Sequence, residues 1–141
     1  MIRYFDASAL VKRYAQEAGS RLVRSLLEEG PAASSRLSEI EVASALIRRC
    51  REGALSSEER DRALTALRKD CASLYLVELT AEVAVLAIDL LLRPRLRAND
   101  ATQLAACLHL AQQAGQPVEL VVFDHRLIEA AKREGLPVVG G

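Results

Sequence analysis

The sequence predicts a single α/β domain built on a four- or five-stranded parallel sheet with helices on both faces. Short runs of β-forming residues alternate along the chain with longer segments of helical periodicity. This alternation is typical of parallel strands joined by right-handed crossovers. The chain has 141 residues, 50% of them apolar, which suits one domain with a sizeable core. We therefore expect residues 1–141 to form one domain.

The expected strands are short apolar runs bounded by turn residues. The first contains Ile2, Tyr4 and Phe5 and ends before Asp6, and the most strand-like run is ELVVF at residues 119–123. The predicted strands comprise residues 2–5, 32–35, 74–79, 119–123 and 138–139.

The expected helices have apolar residues at helical spacing and recognisable ends. Ser38 and Glu41 fit a capping box at the start of the third helix, and Pro94 is expected to end the fifth. Other predicted caps are Ser20, Ser56 or Ser57, and Thr80. The predicted helices comprise residues 7–14, 21–29, 38–52, 58–71, 81–92, 99–113 (or 100–113) and 126–133.

The composition argues against a protein that holds nucleic acid by bulk charge alone, because 19 Lys and Arg balance 19 Asp and Glu. A local basic patch is still allowed. The three cysteines have no CxxC spacing, which argues against a zinc site and predicts free thiols in a cytoplasmic protein. No signal peptide and no apolar run of membrane-spanning length is evident, so we expect no membrane partner.

Four acids are placed to meet at one edge of the sheet. Asp6 and Asp124 each follow a strand and precede a helix, whereas Asp100 and Glu41 lie in the first turns of helices. Ligands of parallel sheets bind at this carboxyl edge. Each acid alone could simply cap its helix, but four carboxylates in one cleft repel each other unless a cation joins them. Mg²⁺ takes oxygen ligands, and one ion, or two about 3.5–4 Å apart, would suit phosphodiester chemistry.

Four motifs, in chain order, carry a family resemblance. They are DASAL at residues 6–10, SEIE at 38–41, RANDA at 97–101 and FDHRL at 123–127. These motifs resemble the four acidic motifs of the PIN-domain nucleases, and they look most like those of the VapC-type toxins of bacterial and archaeal toxin–antitoxin systems. The resemblance extends over nearly the whole chain.

The resemblance implies that Asp6, Glu41, Asp100 and Asp124 bind Mg²⁺ or Mn²⁺ and that Ser8 positions water or phosphate. It implies a Mg²⁺-dependent endoribonuclease that hydrolyses single-stranded RNA with a metal-activated water. It also implies two protein partners, a second copy in a homodimer and a small inhibitory antitoxin.

Two choices near these acids rest on the residues around them. Glu39 and Glu41 point to different faces of their helix, and the apolar residues after Glu41 favour Glu41 as the cleft acid. Arg97 lies just before Asp100 and is a candidate for holding substrate phosphates, with an ordinary solvated connector as the alternative. A solvated helix face is expected for Arg48, Arg49 and Arg51.

The helices before residue 72 carry more apolar residues than a small sheet can cover. Among these residues are Leu10, Val11, Leu22, Val23, Leu26, Leu46 and Ile47. We expect an exposed apolar groove that receives an antitoxin segment, or the same surface buried in a homodimer. The alternative function is a non-catalytic RNA- or protein-binding module on the same fold, which a metal titration would distinguish from a nuclease.

Overall fold

The structure is a computed structural model that describes residues 1–93 and 95–140, and across these residues five parallel strands form one sheet. The strands are β1 (Ile2–Phe5), β2 (Ala32–Ser35), β3 (Tyr75–Val77), β4 (Val118–Val121) and β5 (Val138–Val139). Their spatial order is β3-β2-β1-β4-β5. The predicted parallel α/β fold is confirmed, with the larger of the two expected strand numbers.

Seven α-helices connect the strands in the described part of the chain. They are α1 (Ala7–Leu10), α2 (Ser20–Glu28), α3 (Arg36–Arg51), α4 (Ser57–Cys71), α5 (Ala81–Leu91), α6 (Ala98–Gln113) and α7 (His125–Arg133). Ser56 and Thr80 cap α4 and α5 as predicted, since each hydroxyl accepts a backbone N–H of the first turn. The helix end expected at Pro94 lies outside the described residues.

The sheet separates two apolar cores. Successive side chains of a strand point to opposite faces, so Tyr4 packs into one core and Phe5 into the other. The Tyr4 core is closed by α5, α6 and α7, and the Phe5 core by α1, α2, α3 and α4. The prediction of helices on both faces is thereby confirmed, and the central position of β1 buries both aromatic rings completely.

The start of α3 differs from the prediction. Ser35, and not Ser38, is the N-cap, because the Ser35 hydroxyl accepts the backbone N–H of Ser38 at 3.1 Å. The predicted capping box of Ser38 and Glu41 is therefore wrong. Ser38 is fully buried in the first turn, and Glu41 lies deeper in the helix with its carboxylate free of the helix end.

The predicted helix 7–14 is also interrupted. It is α-helical only to Leu10 and continues as a 3-10 turn at Val11–Arg13. Ser20 is the first residue of α2 and not its cap. Its hydroxyl accepts the Glu17 N–H and donates to the Ala15 carbonyl, which fixes the turn between the two helices.

The structure gives little support to the exposed apolar groove expected among the early helices, because few of its proposed lining residues are exposed. Its proposed lining is mostly buried in the Phe5 core, with Leu22 the exposed exception at 42%. Exposed apolar side chains instead follow one face of α5, at Val85 and Ile88, and continue to Leu92, the C-cap residue of this helix. The early helices bury their apolar surface against each other, since α3 and α4 pack together over the sheet.

Two composition-based expectations can be compared with the fold. Cys50, Cys71 and Cys107 are free thiols, as predicted. Over residues 1–93 and 95–140, no helix is both long and apolar enough to cross a membrane.

Candidate active site

The carboxyl ends of β1 and β4 define the candidate site. These strands are neighbours although they are far apart in sequence, and β1 is where the strand order reverses, which is the usual ligand crevice of such sheets. Asp6 follows β1 and Asp124 follows β4. Each carboxylate also caps the helix after it, Asp6 by accepting the Ala9 N–H and Asp124 by accepting the Arg126 N–H, both at 2.9 Å.

Asp6 is the buried acid of the group, with 5% of its surface exposed. The Ser8 hydroxyl donates to its carboxylate, 2.8 Å from Oδ2. Burial raises the pKa of Asp6 to about 6, the Ala9 and Ser8 hydrogen bonds oppose that rise, and the charges of Glu41 and Asp124 add to it. The charges of Glu41 and Asp124 thus both oppose ionisation of Asp6.

Glu41 is held by a residue from α6. Gln103 donates from Nε2 to Glu41 Oε1 at 3.0 Å and to the buried Ser38 hydroxyl at 2.9 Å. An ionised carboxylate only accepts hydrogen bonds, so the amide nitrogen of Gln103, and not its oxygen, must face Glu41. Glu39, by contrast, pairs with Arg36 at 3.3 Å on the surface of α3.

The other end of Gln103 is anchored in the core. Its Oε1 accepts the Tyr4 hydroxyl at 2.7 Å, and burial raises the pKa of Tyr4 well above its ordinary value, so this group stays a donor. Sequence reasoning missed Gln103. The available signal was its position three residues after Asp100, which places the two side chains on one helix face.

Asp100 lies on a different part of the site. Its carboxylate accepts the backbone N–H of Arg97 at 3.3 Å, so it closes the first turn of α6. A cavity of about 350 Å³ joins Asp100 to Asp124 and is also lined by Arg97, Asn99 and Arg126. The predicted phosphate-holding residue Arg97 thus lines the same cavity as two of the four predicted acids.

A second cavity, of about 380 Å³, is also lined by Asp124. One part of its lining is acidic or polar and another part is cationic. The acidic or polar residues are Ser8, Glu41 and Asp124, and the cationic residues are Lys12, Arg48 and Arg49. Arg49, expected on a solvated helix face, is instead partly buried and forms a salt bridge with Glu17.

A third cavity, also of about 380 Å³, has none of the four predicted acids in its lining. Leu10, Leu27 and Leu74 form part of its apolar lining. Three of its polar side chains are paired with each other, because Asp70 accepts both the Tyr14 hydroxyl at 2.6 Å and Arg13 Nε at 2.7 Å.

The four predicted acids offer only carboxylate oxygens, the ligand type that a hard divalent cation such as Mg²⁺ or Mn²⁺ prefers. Within the described residues, none of them is in a salt bridge with Lys, Arg or His. No three of the described His, Cys, Asp or Glu side chains lie together as a preformed metal site. Asp6, Asp100 and Asp124 each accept a backbone N–H with one carboxylate oxygen, which leaves further lone pairs on each group.

Comparison with known proteins decides the family. A family model described as the PIN domain matches residues 3–133. The chain belongs to the PIN-domain family. This PIN domain is 38% identical over 137 residues to Ribonuclease VapC49 of Mycobacterium tuberculosis, covering 96% of this chain and 92% of that protein.

Solved structures share the fold of this PIN domain. One is VapC20 of Mycobacterium tuberculosis, described as a sarcin-ricin loop cleaving toxin, with a TM-score of 0.68 and 19% identity over 91% of this chain and 94% of that one. Another is a chain of a toxin–antitoxin complex from Klebsiella pneumoniae, with a TM-score of 0.65 and 20% identity over 97% and 95% of the two chains. The family and fold expected from the four motifs are therefore confirmed.

Proposed function

We propose that this PIN domain is a divalent-cation-dependent endoribonuclease and the toxin of a toxin–antitoxin pair. The observation that carries the proposal is the buried Asp6 carboxylate in the β1/β4 crevice, beside Glu41 and Asp124 and without a cationic side-chain partner among the described residues. Negative charge concentrated in this way favours a bound cation. The 38% identity to a protein named a ribonuclease supports the same chemistry here.

We assign the cation, Mg²⁺ or Mn²⁺, to Asp6, Glu41, Asp100 and Asp124. When bound, such an ion lowers the pKa of water and offsets charge on phosphate oxygens. Ser8 orients the Asp6 carboxylate through its hydroxyl. No side-chain nucleophile is required from the chain, whose part is to position acids and substrate.

The phosphates of a single-stranded RNA are the proposed ligands of the arginines near the acids. Arg97 and Arg126 line the cavity that contains Asp100 and Asp124. A guanidinium group can bind a phosphate through two parallel hydrogen bonds, which positions the strand without reading its sequence. These contacts would hold the backbone beside the acids.

The proposed protein partner is a small antitoxin, supported by the similarity to a chain of a toxin–antitoxin complex. A basic side chain inserted near Asp6 and Asp124 would satisfy the same negative charge as the metal and would compete with it. Co-expression with the neighbouring small reading frame tests the partner. We expect co-purification and loss of cleavage, and independent purification of the two proteins with undiminished cleavage would exclude the antitoxin role.

The nuclease activity is tested with total cellular RNA, followed by sequencing of the new 5′ ends. The wild type should cleave with Mg²⁺ and not with a chelator, and Asp6→Asn and Asp100→Asn should each abolish cleavage. Asp61→Asn, on the exposed surface of α4, is the control and should cleave normally. Full activity in both site variants would contradict the nuclease proposal and favour a non-catalytic module.

A further inference from the structure

Lys12 and Arg49 share one carboxylate at the edge of the Ser8–Glu41–Asp124 cavity. Lys12 Nζ lies 3.0 Å from Glu17 Oε1, and Arg49 Nη2 pairs with Glu17 Oε2. The two cations come from different elements, the 3-10 turn and α3, and they meet only through this carboxylate. A site that holds a carboxylate between an ammonium and a guanidinium group has the chemistry to hold a phosphate.

The cations are held in place before any ligand arrives. Lys12 also donates to the Ala18 carbonyl at 2.7 Å and lies 4.7 Å from the centre of the Phe123 ring. Gly19, at a φ of +91°, gives the room for this packing, since a Cβ there would lie 3.1 Å from both Lys12 and Phe123. The side chains of Lys12 and Arg49 are only 13% and 28% exposed. Little side-chain freedom is therefore lost on binding.

Arg49 has binding capacity that the chain does not use. Within the part of the chain that the structure describes, its Nη1 is the buried side-chain nitrogen or oxygen without a hydrogen-bond partner. An unpaired buried donor costs free energy, which a ligand oxygen would recover once the guanidinium turns Nη1 toward the cavity. Arg49 also lines the cavity that contains Ser8, Glu41 and Asp124, so such a ligand would lie beside the proposed metal ligands.

We propose that Lys12 and Arg49 form an anion subsite for an RNA phosphate adjacent to the scissile one, with Glu17 as an internal competitor for the same cations. The inference rests on the proposed ribonuclease function and extends it by assigning where the strand is held. Glu17 lies in the turn before α2, so it masks the cations while the cavity is empty and weakens RNA binding by its charge.

The alternative role for the Lys12–Glu17–Arg49 group is purely structural: its two salt bridges would only hold the turn against α3, as a clasp does. The two roles predict opposite effects of Glu17→Gln. If the group is only a clasp, losing the carboxylate lowers stability and leaves RNA binding equal or weaker. If it is an anion subsite, the same change frees two cations and tightens RNA binding.

The test measures RNA binding by fluorescence anisotropy. The probe is a fluorescent single-stranded RNA of 20 nucleotides and mixed sequence. Binding is measured between about 20 and 200 mM salt, first without Mg²⁺ and then with Ca²⁺. Phosphate contacts are independent of sequence, so a mixed pool is a valid probe. Lys12→Met and Arg49→Met should each weaken binding roughly three- to fivefold near 0.15 M salt and reduce the salt slope by about 0.7. Glu17→Gln should tighten binding by a similar factor.

The controls keep the result interpretable. Arg68→Met removes an exposed cation of α4 away from the site and should leave the salt slope unchanged. Lys12→Arg and Arg49→Lys retain the charges and should retain the slope, even if the methionine variants are too unstable to use.

Cleavage of total RNA by the same preparations separates the two proposals. A wild type that cleaves while the methionine variants keep its salt slope would overturn the subsite alone. Altered slopes without any Mg²⁺-dependent cleavage would overturn the nuclease and leave the subsite in place. A wild type that binds no RNA in either buffer would overturn the subsite.

Discussion

Gln103 donates a hydrogen bond to Glu41 at 3.0 Å across 62 positions of sequence, and its amide oxygen accepts the Tyr4 hydroxyl from the central strand. A carboxylate of the candidate metal site is thus fixed by a residue that is itself fixed in the core. Partners of metal ligands that orient them commonly change metal affinity 10- to 100-fold when removed, so Gln103 is a positioning residue of the proposed site.

Replacement of Gln103 by methionine should weaken Mn²⁺ binding by at least about tenfold. It should also destabilise the fold by about 1–3 kcal/mol, because the Tyr4 hydroxyl loses its acceptor. Calorimetric titration and thermal unfolding measure the two effects. Adding Tyr4→Phe removes the orphaned hydroxyl and should restore stability but not Mn²⁺ affinity.

The matched control for this change is Gln113→Met, at the exposed end of the same helix, which should behave as the wild type. Normal Mn²⁺ affinity in the Gln103→Met protein would show that Gln103 serves the core alone.

Glu41→Gln should cost far more RNA cleavage than Glu39→Gln. Glu41 lines the cavity beside Ser8 and Asp124, and its charge acts on Asp6. Glu39 pairs with Arg36 on the surface, where losing an ion pair has a small effect. Initial cleavage rates of the two variants, measured with the same RNA and Mg²⁺, make the comparison. The reverse ranking would place the site on the other face of α3.

The stability of the metal-free protein should fall as the pH rises through the pKa of Asp6. That pKa is raised from 3.8 to about 6 in the folded chain, so the folded state favours the protonated acid. The resulting stabilisation is fully present below about pH 4 and lost above about pH 6, a change of about 3 kcal/mol. Asp6→Asn removes the ionisable group and with it this loss of stability at higher pH. The amide oxygen of the new side chain can still accept the Ala9 N–H.

Chemical denaturation at a series of pH values with a chelator measures this difference. Relative to the wild type, Asp6→Asn should gain stability between pH 4 and 7, whereas Asp61→Asn should stay parallel to the wild type. Parallel curves for all three proteins would mean that Asp6 ionises as freely in the folded chain as in the unfolded one.

The exposed face of α5 should mediate a homodimer. Val85, Ile88 and Leu92 are 67%, 64% and 83% exposed and follow one another at helical spacing, which forms a continuous apolar stripe. Ile88→Lys should raise the dimer dissociation constant by about tenfold or more, since a buried isoleucine contributes about 1.5–3 kcal/mol. Sedimentation or light scattering measures the change.

Ile40→Lys is the matched control for the α5 stripe, because Ile40 is also 64% exposed but lies on α3. It should not alter the dimer. If Ile40→Lys dissociates the dimer and Ile88→Lys does not, the interface lies on α3.

The strands and the acids that follow them could be predicted because their signals are local. Asp6 and Asp124 each end an apolar run and begin a helix, and a parallel sheet brings such positions to one edge. The start of α3 was mispredicted because both Ser35 and Ser38 can cap a helix. Burial of Ser38 against Ser34 and Gln103 decides between them, and that contact is tertiary.

The supporting residues of the site could not be predicted for the same reason. Arg49 meets Glu17 across 32 positions, and its sequence neighbours Arg48 and Arg51 suggest only a polar helix face. Nothing within a few residues of Arg49 indicates that a turn from before α2 reaches it. Local sequence patterns cannot predict the role of a charged residue when that role depends on a partner far away in the sequence.

Asp124 lines both cavities, one of which contains Arg97 and Arg126 and the other Lys12 and Arg49. In the proposed reaction, a strand cut at this point divides its phosphate contacts between the two fragments. Each product then keeps only part of the binding free energy of the intact strand, and its dissociation rate is correspondingly higher. The division of the cations between two cavities thus favours repeated turnover over retention of products, and short oligonucleotide fragments should be weak inhibitors of cleavage.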